Sequence, residues 1–104
     1  MSCSLVYITT PDLACAEGLG AMLVEQRLAA CANILPGMRS IYRWQGAIER
    51  ADEVVLLVKT KTSLLETLTA AVVAAHPYET PCVVSWPLTS GHPDFLKWIA
   101  DETA

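Results

Sequence analysis

The sequence predicts a small α+β domain with two helices on one face of a four-stranded antiparallel sheet and a further helix at the C-terminus. Three observations point there. Runs rich in β-branched residues alternate with stretches whose apolar residues recur at helical spacing, in the order β-α-β-β-α-β. Gln45-Gly46 interrupts one long extended region as a hairpin turn does. The chain has 104 residues, which suits one domain spanning 1–104 and leaves no room for two. This order is the ferredoxin-like split βαβ arrangement. Right-handed crossovers put strands one and three in the centre and leave two and four as edges.

Each element has a local cause. Ser4 to Thr9 holds Leu5, Val6, Tyr7 and Ile8, all apolar and β-favouring. Thr10-Pro11-Asp12 reads as a helix start, with a hydroxyl cap, proline at the first helical position and a carboxylate near the positive end. The helix should run to about Arg27, with Leu13, Ala16, Gly20, Leu23, Val24 and Leu28 on one face. Cys31 to Trp44 reads as a second strand, interrupted or bulged at Pro36-Gly37, and Ala47 to Lys61 as the third. Ser63-Leu64-Leu65-Glu66 has capping-box spacing. Leu64, Leu68, Val72 and Ala75 continue as a helical stripe that must stop at His76, because Pro77 forces its predecessor out of the helical region. Val83 to Trp86 is a short fourth strand. His92-Pro93-Asp94 then opens a last helix with Phe95, Trp98 and Ile99 on its apolar side.

Composition narrows the partners. Hydrophobic residues make up 53% of the chain and charged residues only 17%, against about 25% charged in an average domain. So short a chain cannot bury that much apolar surface alone, which favours an oligomer. Length adds to this. Two strands of about 14 residues would span roughly 45 Å, but a domain of this size is only about 33 Å across. The hairpin around Gly46 must bend or overhang, presenting unpaired backbone and Ile41, Tyr42, Trp44 and Ile48 to a neighbour.

The net charge is −4 and the seven basic residues form no cluster, so neither nucleic acid nor an anionic membrane is expected as a partner. Apolar runs such as Val54 to Val58, five residues long, stay far below the roughly 20 of a membrane span. Cys3, Cys15, Cys31 and Cys82 have no CxxC or zinc-ribbon spacing. Reduced thiols and the lack of a secretory pattern at the N-terminus imply a cytoplasmic protein. With no G-x-S-x-G elbow, no phosphate-binding glycine loop and only His76 and His92 as imidazoles, no catalytic residue and no enzymatic activity are expected.

Three segments are distinctive: Arg27-Leu28-Ala29-Ala30-Cys31-Ala32-Asn33-Ile34-Leu35-Pro36-Gly37, Tyr42-Arg43-Trp44-Gln45-Gly46 and His76-Pro77-Tyr78-Glu79-Thr80-Pro81. Together they resemble the CutA family of divalent-cation tolerance proteins. The resemblance implies the ferredoxin-like fold, a homotrimer similar to the PII signalling proteins, and tolerance to divalent cations, copper above all. Relatives for which copper binding has been proposed carry a cysteine near the end of strand one and a His-His pair before the proline. Those positions fall on Ile8, Ala75 and His76, so two of the three ligands are missing.

The expected metal contacts are then His76, Glu79 and Cys31, an imidazole, a carboxylate and a soft thiol. No cofactor is required, and any cation, copper included, should bind weakly. The resemblance also places Trp44, Glu49, Lys59, Tyr78 and Glu79 along a cleft between subunits. An acid, an ammonium and aromatic walls there suit a small-molecule or small anionic ligand. The alternative function is accordingly a PII-like sensing trimer.

Overall fold

The computed structural model describes residues 2–104. Its elements are β1 Cys3–Thr10, α1 Leu13–Glu25, β2 Cys31–Trp44, β3 Ala47–Lys61, α2 Leu65–Ala75, β4 Val83–Pro87 and α3 Pro93–Glu102. The sheet order is β2-β3-β1-β4, with every neighbouring pair antiparallel. β1 and β3 are therefore central and β2 and β4 are the edges, as the split βαβ order requires.

Alternation along the strands sorts side chains between the two sheet faces. Val6 and Ile8 of β1 and Leu56 and Val58 of β3 pack with Ala16, Leu19 and Leu23 of α1 and Leu68 and Val72 of α2. Gly20 lets α1 approach closely, since a Cβ there would lie 3.1 Å from Ala32 Cβ. The opposite face carries Leu5 and Tyr7, whose register partners are Lys59 and Leu57 on β3 and Trp86 and Val84 on β4. α3 covers one end of that face, where Ile99 packs with Cys3 and Ala30, and Leu35, Val84 and Trp86 stay exposed on it.

Some local expectations are corrected. α1 is capped by Asp12, whose Oδ1 accepts from Cys15 N at 2.8 Å, and Pro11 lies outside the helix. The Thr10 hydroxyl is used elsewhere, donating to Val54 O at 2.9 Å. On α1 the buried stripe runs through Ala16, Leu19, Gly20 and Leu23, while Leu13 and Val24 are exposed. Val24 follows Leu23 by about 100° of helical rotation, which carries it off the sheet-facing side. Ser63 does not cap α2, because Thr62–Leu64 forms a 3₁₀ turn that leads into the helix. α2 does end at His76, and α3 starts with Pro93 in its first turn and Asp94 near its positive end.

The β2–β3 hairpin turns through Gln45 and Gly46 at φ 48° and 84°. Two successive positive φ values twist with the strands and hold a tight two-residue connection. The molecule measures 44 × 25 × 22 Å, so the hairpin overhangs the domain rather than folding back on it.

Candidate functional site

A bulge decides which β2 side chains reach the site. Leu35 pairs with Val55 and Met38 with Glu53, so Pro36 and Gly37 together oppose the single residue Val54. The extra residue is accommodated at Gly37, whose φ is +87°. Before the bulge the odd residues Cys31, Asn33 and Leu35 share a face with Lys59, Leu57 and Val55. After it the even residues Met38, Ser40, Tyr42 and Trp44 share that face with Glu53, Ala51, Glu49 and Ala47. One inserted residue thus exchanges the two faces of the outer half of β2.

The loop after α2 supplies the facing wall. His76 is buried, and its Nε2 lies 2.8 Å from the carbonyl oxygen of Thr9. Its Nδ1 accepts from the backbone N–H of Tyr78 at 3.1 Å. A carbonyl can only accept and an amide N–H can only donate, so the imidazole is neutral with its proton on Nε2. Both ring nitrogens are committed to the backbone, one on β1 and one in the loop. This fixes Tyr78, whose ring lies 4.7 Å from the imidazole, centroid to centroid. Tyr78 Oη donates to Glu53 Oε2 at 2.8 Å. Burial, reinforced by the Glu53 carboxylate, pushes the Tyr78 phenol well above the usual tyrosine range.

Between loop and hairpin lies an open cleft of about 840 Å³ lined by Tyr7, Thr9, Met38, Arg39, Ser40, Ile41, Tyr42, Trp44, Glu53, Pro77, Tyr78, Glu79, Thr80 and Cys82. Its volume falls within the range of small-molecule sites, roughly 300–1,000 Å³. Of the sequence-predicted cleft residues, Trp44, Tyr78 and Glu79 line it. Lys59 does not. Its ammonium donates to Asn33 Oδ1 at 2.7 Å and lies 3.8 Å from Cys31 Sγ, on the stretch of sheet before the bulge. Glu49 is also outside the lining, exposed on the hairpin opposite Tyr42.

The three expected metal contacts are not assembled within one chain. His76 has no free ring nitrogen. Cys31 pairs with Lys59, four residues along β3 from the Val55 that faces Thr9, a separation of about 13 Å. Glu79 is exposed on the loop. Among the described residues no group of three or more His, Cys, Asp or Glu side chains is placed to hold a metal ion.

Glu53 is the site residue that sequence reasoning missed. Its signal was an acidic residue directly ahead of the apolar run Val54 to Val58, since a charge next to a central-strand core is out of place unless something holds it. The exposed pair Arg39–Asp52, at 2.8 Å, ties the rim guanidinium to a carboxylate. An anion in this cleft would therefore meet Glu53 and Glu79 and, among the described lining residues, no unpaired cation.

Comparison with known proteins accords with this architecture. A family model described as "CutA1 divalent ion tolerance protein" matches residues 4–102. The "Divalent-cation tolerance protein CutA" of Thermus thermophilus is 44% identical over 99 residues, covering 95% of this chain and 96% of that protein. The "Protein CutA homolog" of Xenopus laevis is 43% identical over 100 residues, or 96% of this chain, which spans only 66% of that relative's length. Among solved structures, CutA from Xylella fastidiosa superposes with a TM-score of 0.96 at 39% identity, covering 100% of both chains. The Thermus thermophilus structure gives 0.95 at 43% identity, covering 98% of this chain and 99% of that one.

Proposed function

The chain belongs to the CutA1 divalent ion tolerance family, and from that premise we propose that it serves tolerance to divalent cations, copper foremost, as a cytoplasmic homotrimer that does not sequester the ion tightly. The observation that carries this reading is the state of His76, whose two ring nitrogens are both held by backbone groups. Stable metal sites use three or four protein ligands, and this chain offers His76, Cys31 and Glu79 in separate places.

Assembly is supported by the overhanging hairpin and by the uncovered sheet face. Leu35 is 53% exposed there, Val84 53% and Trp86 46%, a spread of large apolar side chains that suits burial against further copies. Deleting the gene and growing the cells in graded copper tests the tolerance. Growth should fail at lower copper and recover when the gene is restored. Growth indifferent to copper and to other divalent cations would overturn the proposal.

A second reading, a PII-like trimer that senses a small molecule, is favoured by the cleft itself. It has ligand-sized volume, aromatic walls and one deeply placed carboxylate.

A further inference from the structure

The cleft has a chemical bias of its own. Four of its side chains are aromatic: Tyr7, Tyr42, Trp44 and Tyr78. Ring faces carry negative potential and attract cations, most strongly when water is displaced. Glu53 sits among them with only 8% of its surface exposed. Its one hydrogen bond among the described residues comes from the neutral Tyr78 phenol on Oε2, and no salt bridge among those residues involves it. A carboxylate buried beside a neutral donor keeps its attraction for positive charge. The Tyr78 phenol is pushed up first by burial and then by Glu53, since a second negative charge beside that carboxylate is disfavoured.

We propose that the cleft binds an organic cation, a primary ammonium or guanidinium on an apolar body, with the charged group at Glu53 and the body against the tyrosine rings beside it, Tyr78 and Tyr42. This deepens the sensing reading above and rests on it only in taking the cleft as the working site. Lys59, the residue that would have favoured an anion, is held by Asn33 away from the cleft. Arg39 at the rim is paired with Asp52. A bare divalent ion is the poorer fit, because one buried carboxylate leaves most of its coordination sphere to water and a hydrated ion has no apolar body to lay on the rings. An alkyl ammonium uses both features at once.

The test is an amide NMR titration of the intact protein with n-butylammonium and n-butylguanidinium, against 1-butanol and butyrate as controls. The cations should give saturable shifts at Glu53, Tyr78 and Tyr42 with Kd on the order of 1 mM, as expected for probes of so few atoms. Butanol and butyrate should bind roughly tenfold more weakly or not at all. Glu53→Gln keeps an acceptor for Tyr78 but removes the charge, and should weaken the ammonium about tenfold. Tyr42→Ala should weaken it about threefold. If Glu53→Gln does not fold, the wild-type preference for butylammonium over butyrate decides the matter. Equal binding of butyrate, indifference to a folded Glu53→Gln, or no cation binding would each overturn the proposal. The last result is the one expected if a cationic side chain of a second copy already fills the cleft. A failed copper-growth test would leave these titrations unchanged, so the two readings fail separately.

Discussion

Tyr78 Oη meets Glu53 Oε2 at 2.8 Å across 25 residues of sequence, joining the loop after α2 to the central strand β3. That one bond joins two residues of the cleft lining and gives a buried carboxylate its donor. Tyr78→Phe should leave Glu53 without its donor and cost about 1–3 kcal/mol, read from urea unfolding. Unchanged stability would mean that water serves Glu53 as well as the phenol does.

The same phenol makes an alkaline prediction. Its folded-state pKa is raised above the ordinary 10.0 by burial first and by Glu53 second. A raised value means that the folded protein holds this proton more tightly than the unfolded chain does. The stabilisation is complete below 10.0 and is lost as pH climbs above it towards the folded value. In a phenolate absorbance titration, Tyr78 should ionise last, and Tyr78→Phe should delete that late phase. A late phase that survives in Tyr78→Phe would assign it to Tyr7 or Tyr42.

His76→Ala should act on the fold more than on metal. It removes two hydrogen bonds and strands the Thr9 carbonyl, a loss of about 2–4 kcal/mol. Calorimetry with Cu(II) should give micromolar or weaker affinity in the wild type, changed by no more than about threefold in the variant. Nanomolar binding abolished by His76→Ala would show that the imidazole leaves its backbone partners for the ion.

Gly37 should tolerate side chains poorly for a backbone reason alone. A Cβ there meets nothing within 4 Å, yet φ is +87°. Gly37→Val should therefore cost about 1–2 kcal/mol through strain, since a β-branched residue is disfavoured at positive φ. Deleting Gly37 should be worse, because it returns Tyr42 and Trp44 to the other sheet face. Wild-type melting in the deletion variant would show that the bulge can reform elsewhere.

Light scattering should report a mass about three times the 11.3 kDa chain. Leu35→Glu, on the uncovered face before the bulge, should shift the mass towards one chain while keeping the far-ultraviolet circular dichroism of the fold. A trimer undisturbed by Leu35→Glu would place the interface away from that face.

What the sequence determined by itself was governed by neighbours along the chain. The element order, the Gln45-Gly46 hairpin, the stop at His76 ahead of Pro77 and the start at Pro93 follow from periodicity and from the φ limits of proline and glycine. Strand length alone required the hairpin to bend or overhang, and the 44 Å extent of the folded chain shows the overhang. Trp44, Tyr78 and Glu79, which stand in the distinctive segments, line the cleft of the single chain.

Tertiary structure decided what depends on register. Pro36-Gly37 read as an interruption or a bulge, but only the pairing of Leu35 with Val55 and Met38 with Glu53 shows that one residue is gained and the faces exchanged. That exchange leaves Lys59 beside Asn33 before the bulge and puts Glu53 with Tyr42 and Trp44 after it. Competition for partners decided the rest. The Thr10 hydroxyl found Val54 O instead of capping α1, and His76 found Thr9 and Tyr78 instead of a metal. A polar side chain takes whichever partner the folded chain brings within hydrogen-bond reach, and for contacts between distant residues that is set by packing, not by spacing along the chain.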